Sequence, residues 1–179
     1  MKPITATCST KYHAVHDSGS RPKEAVIWVV IHTTEGDTAE GAAVWFTNPA
    51  SKGSTHLIVD NDECFRTLPN SAIPWGAEGA NYCGFHIEQA GHASWSRATW
   101  LKHDNTIRRA AFKTALHANL FGIPLRWVGP TSLRLKRKGV TTHADCTKAF
   151  GGNHTDPGAG YPKDVFLRYA KEYLGELNV

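Results

Sequence analysis

Ala25-Val26-Ile27-Trp28-Val29-Val30-Ile31-His32 is the stretch on which the fold turns. Its apolar residues run without a polar break and are mostly β-branched, whereas a strand with one wet face would alternate. The pattern predicts a central strand covered on both sides by helices. The run is too short to span a bilayer, so no membrane segment is expected. His32 stands at its C-terminal end, where open α/β sheets place their ligands.

Outward from this strand, Asp37 and Glu40 read as a capping box opening a helix through Ala42 to Phe46, ended before Pro49. Ser54 to Val59 and Cys64 to Leu68 flank Asp60-Asn61-Asp62-Glu63 as a hairpin. A loop from Pro69 to Tyr82 carries Pro74-Trp75-Gly76, and Gly84-Phe85-His86-Ile87-Glu88 reads as a further strand. Alternation puts His86 and Glu88 on one face of it and Phe85 and Ile87 on the other. A long helix begins at Asp104 or Asn105 and stops at Gly122; a last one starts with Pro162 and ends at Gly175. Strands interspersed with helices predict an α/β fold, a mixed central β-sheet flanked by helices. Residues 1–24 read as an irregular arm of the same domain, with no legible role.

At 179 residues the chain fits one domain, and 41% apolar with 20% charged residues is ordinary globular composition. Cys8, Cys64, Cys83 and Cys146 are scattered without a C-x-x-C pair, so reduced, mostly buried thiols are expected. The formal charge is +4, and Arg134, Lys136, Arg137 and Lys138 form a basic run. It reads as a solvated loop that would attract an anionic polymer; no nucleic-acid motif accompanies it, and nucleic acid is not expected as a partner. The N-terminus has no apolar h-region, so a protein made and kept in the cytoplasm until another agent releases it is expected.

His143 and Asp156 offer an imidazole and a carboxylate from what reads as one ordered loop, and His32 supplies a second imidazole. Three N/O ligands with one position open is the pattern of catalytic zinc, whereas structural zinc is closed by four protein ligands. Asp156-Pro157 holds Asp156 extended, which turns His154 toward the same space. Against this stands chance: a chain with ten histidines yields some triplets with no metal at all.

In order along the chain, Val30-Ile31-His32-Thr33-Thr34, Ser54-Thr55-His56-Leu57-Ile58-Val59-Asp60, Trp75 to Asn81, Ile87-Glu88-Gln89-Ala90-Gly91, Gly122-Ile123-Pro124, and Thr142-His143 with His154-Thr155-Asp156-Pro157-Gly158 resemble a known family. These motifs are similar to those of the zinc N-acetylmuramoyl-L-alanine amidases that share the peptidoglycan recognition protein fold, most closely the amidase domains of endolysins from phages of actinobacteria. The resemblance implies that residues 25–179 are a zinc amidase catalytic domain. It implies His32, His143 and Asp156 as ligands of Zn2+, Glu88 as the carboxylate acting on water, and His154 as an oxyanion donor where many relatives carry lysine. The implied substrate is bacterial peptidoglycan, cut between N-acetylmuramic acid and L-alanine. The implied protein is a monomer with no membrane partner, or one module of a longer lysin. The alternatives are a recognition module that binds without cutting and a cytosolic amidase recycling wall fragments. The chain departs from the pattern at Gly76, where relatives commonly have histidine, and at His86, where they usually have glycine.

Overall fold

The computed structural model describes residues 4–177. Five strands, β1 (Trp28–Thr33), β2 (Leu57–Val59), β3 (Cys64–Arg66), β4 (Gly84–Gln89) and β5 (Gly139–Thr142), form one sheet in the order β3-β2-β4-β1-β5. β2, β4, β1 and β5 are parallel to their neighbours, and β3 runs antiparallel to β2 as the expected hairpin. The sheet is thus mixed, with fully buried β1 between β4 and β5. The strand starts later than the apolar run: Lys23–Ala25 is a 3-10 turn, and β1 continues through His32 to Thr33.

Alternation sends the strand side chains to opposite faces of the sheet. Val29, Ile31, Phe85 and Ile87 pack with Ile107, Ala110 and Ala111 of helix α3 (Asp104–Phe121) and Phe166 and Ala170 of helix α6 (Lys163–Leu177). Trp28 and Val30 face the other way, against Leu133 of α4 (Pro130–Arg134) and Cys146 of α5 (His143–Phe150). α3 ends where its sequence predicts, because Gly122 takes the left-handed conformation (φ 62°) and passes its neighbour Ile123 N–H to Ala118 O at 2.8 Å. α6 runs past Gly175, which does not take the left-handed conformation that ends α3 at Gly122. A short helix, α2 (Arg97–Lys102), precedes α3.

Two expectations are corrected. Helix α1 (Ala39–Phe46) is capped by Thr38, whose side chain accepts from Gly41 N–H, and not by Asp37. Glu40 does not close a capping box; it binds Lys11 Nζ at 2.9 Å and Tyr12 Oη at 2.6 Å in the N-terminal arm. The cysteines are not all reduced either: Cys8 and Cys64 form a disulfide, leaving Cys83 and Cys146 free. Ser9 N–H donates to Cys64 O and Arg66 N–H to Ser9 O, both at 2.8 Å, which lays the arm beside β3 and brings the two thiols together. Their separation of 56 residues left no local spacing to read. Buried Lys113 of α3 fixes the arm further, donating to Thr5 O at 2.9 Å and Ala6 O at 2.8 Å.

Candidate metal centre and active site

Parallel register assembles the site. β1 pairs with β4 so that His32 lies opposite Glu88, and with β5 so that Ile31 lies opposite Thr142, leaving His143 beside His32 at one sheet edge. His143 is the first residue of α5, so the stretch 142–158 is a strand end, a helix and then a loop, not the single loop expected. The helix starts there because Thr142 caps it: its Oγ1 accepts from Asp145 N–H at 3.2 Å and donates to the Asp145 carboxylate at 2.8 Å. Asp156 arrives from the loop before α6, held by its carbonyl accepting from Ala144 N–H at 2.9 Å and its Oδ2 from Thr33 N–H at 3.3 Å.

His32, His143 and Asp156 converge, all buried, and among the described residues they form the cluster suited to a metal ion. His32 Nδ1 lies 3.1 Å from His143 Nδ1 and 3.4 Å from Asp156 Oδ2, and His143 Nδ1 lies 3.1 Å from Asp156 Oδ1. Ligands held about 2.0–2.1 Å from one tetrahedral ion stand about 3.3 Å apart, so the triangle has the size zinc requires. Two imidazoles and a carboxylate are also a donor set zinc accepts. Burial opposes ionisation of Asp156, but hydrogen bonds from His143 and His32 outweigh it and hold its carboxyl well below the usual carboxylate range. Burial lowers the pKa of His143, against the pull of Asp156, which favours the neutral imidazole a metal needs.

Glu88 approaches this triangle, its Oε1 4.0 Å from His32 Nδ1. Its Oε2 is buried with no hydrogen-bond partner among the described residues. Burial first, then the charges of Asp156 and Glu35, raise its pKa well above the ordinary value. A largely buried carboxylate with one oxygen unpaired, beside a cluster of ligands, suits a proton acceptor. His154 stacks on His143 with ring centroids 4.0 Å apart and sets Nδ1 3.7 Å from Asp156 Oδ1, on the side its spacing predicts. Its side chain is 59% exposed, so it stands on the rim, and partial burial followed by His143 lowers its pKa.

Spacing alone gives His86 and Gly76 no role, yet both adjoin the site. His86 Nδ1 lies 2.9 Å from His32 Nε2. A Cβ on Gly76 would overlap the His86 ring, so the two positions share one space. Alternation of β4 placed His86 on the Glu88 face and was the available signal. His56 is not a ligand: its Nδ1 accepts from His86 N–H at 3.0 Å. The arm also reaches the site. Trp75, on the rim with Lys52 and Ser54, donates its indole N–H to Ser18 Oγ at 2.8 Å and stacks on His16 with centroids 4.6 Å apart.

The fold has solved counterparts. Hydrolase AmiA of Staphylococcus aureus, solved in complex with its ligand, superposes with a TM-score of 0.75 at 18% identity, covering 99% of this chain and 87% of that one. A mutant endolysin from Bacillus subtilis gives 0.61 at 16% identity, over 93% of this chain and 99% of its own. A selenomethionine derivative of AmpD gives 0.64 at 15% identity, over 94% and 98%. No sequence among curated proteins matches the chain. At these identities the superpositions establish the fold, while the sequence profile of the N-acetylmuramoyl-L-alanine amidases matches residues 22–159. The chain therefore belongs to the N-acetylmuramoyl-L-alanine amidase family.

Proposed function

We propose that this protein is a zinc-dependent peptidoglycan amidase of the endolysin type, hydrolysing the amide between the lactyl group of N-acetylmuramic acid and L-alanine of the stem peptide. The convergence of His32, His143 and Asp156 at 3.1–3.4 Å, with the buried carboxylate of Glu88 alongside, carries this reading. His32, His143 and Asp156 would hold the ion. When bound, zinc supplies Lewis acidity, drawing the pKa of a water from ~15.7 toward ~7.

Glu88 takes a proton from the attacking water and passes it to the alanine nitrogen as the carbon–nitrogen bond breaks. The water oxygen stays on the lactyl carbonyl carbon, giving a carboxylate on the sugar and a free amine on the peptide. His154, on the rim, donates a hydrogen bond to the carbonyl oxygen as it gains negative charge. Presence of both Asp156 and Glu88 favours an enzyme over a module that binds without cutting. A disulfide at Cys8–Cys64 persists outside a reducing cytoplasm, which supports work at the wall after release from the cell that makes it.

Purified peptidoglycan digested with the protein and analysed by mass spectrometry tests the reaction. Free stem peptides with an N-terminal alanine amine, and intact glycan strands, are expected. Release of disaccharide fragments with peptides still attached would contradict it.

A further inference from the structure

His32 turns Nδ1 toward His143 and Asp156, so with a metal in place that nitrogen is bare and the ring proton sits on Nε2. The Nε2–H faces one acceptor, Nδ1 of His86, at 2.9 Å. His86 is fully buried, its ring lies along that of His32 with centroids 5.1 Å and planes 24° apart, and its backbone N–H is tied to His56. Space for this imidazole exists because residue 76 has no side chain. The backbone at Gly76 is held in turn by Asn81, whose Oδ1 accepts from Gly76 N–H at 2.9 Å and Ala77 N–H at 2.7 Å.

We propose that His86 is a positioning residue of the metal centre, fixing the tautomer and orientation of His32, and that Gly76 and His86 work as one unit in which the glycine leaves the room the imidazole fills. Strand β4 then supplies both the proton acceptor Glu88 and, two residues earlier on the same face, the group that orients a ligand. A partner that holds the far nitrogen of a metal-bound histidine raises the basicity of the near one, and losing such a partner typically weakens metal binding about 10–100-fold. The inference rests on the zinc reading of the site, and its test reads metal affinity, not turnover.

Zinc dissociation constants, measured by competition with a chromophoric chelator, are compared for wild type, His86→Ala, His86→Asn, His86→Leu and Gly76→Ala, with far-UV circular dichroism checking the fold. Asparagine can place an oxygen where His86 has Nδ1, whereas leucine fills space without accepting. His86→Ala and His86→Leu should bind zinc about 10–100-fold more weakly, and His86→Asn within a few-fold of wild type. Gly76→Ala should weaken binding in the wild-type background and add little on top of His86→Ala, since both act through one contact. Unchanged affinity in folded His86→Ala overturns the inference. If that variant does not fold, equal affinities for His86→Asn and His86→Leu overturn it. A wild-type chain that binds no zinc overturns the metal reading beneath it as well.

Discussion

Glu88 and His154 stand on opposite terms with solvent, and that difference decides what each can do. Glu88 is largely buried, its side chain 12% exposed and one carboxylate oxygen unpaired, and its pKa is raised by burial, Asp156 and Glu35. As the proton acceptor it must be ionised, so activity is lost as pH falls through this raised value. The acid limb of kcat/KM should therefore have its midpoint above the ordinary glutamate value of ~4.3 while bound zinc, measured at the same pH, stays constant. A limb that follows zinc loss would assign it to the ligands. Glu88→Gln should retain zinc and lose on the order of a hundredfold or more in turnover; near wild-type turnover would remove Glu88 from the mechanism. His154 has its pKa lowered by partial burial and then by His143, which favours the neutral imidazole and its N–H as the donor. A donor on the exposed rim is screened by water, and His154→Ala should cost about tenfold to a hundredfold in kcat with zinc content unchanged. An unaltered kcat would leave His154 only its stacking on His143.

Elements carry the arm's contribution, which sequence alone left blank. The irregular segment from Ile4 to Pro22 is pinned to β3 by Cys8–Cys64, to α3 by Lys113, and to the rim of the site through Ser18 and His16 on Trp75. A crosslink spanning 56 residues restricts the unfolded chain, an effect of roughly 2–4 kcal/mol. Cys8→Ser should accordingly lower Tm by about 5–15 °C in calorimetry under non-reducing conditions; an unchanged Tm would mean the bond contributes nothing. The strands and α3 were legible because each is written locally, in a continuous β-branched run, a hairpin and a glycine stop. Helix α5 is short and its capping signal, Thr142 with Asp145, sits among residues that also suit a loop, so the stretch reads as one loop without the tertiary packing. The disulfide and the Gly76–His86 contact depend on tertiary proximity that no local spacing encodes.

At the scale of the molecule, a parallel sheet brings three distant segments to one edge: β1 supplies His32, β4 Glu88, and the end of β5 leads into His143. The apolar clusters on both faces of the sheet are complete without a metal, so chelated protein should stay folded and regain its ion. That makes the central claim directly measurable. Stem-peptide release from purified peptidoglycan, followed by mass spectrometry, is recorded for protein stripped by a chelator and then titrated with zinc. The account predicts negligible release from stripped protein and recovery that saturates at about one zinc per chain, the capacity of a single His-His-Asp site. Release that persists undiminished after the metal is stripped would contradict it.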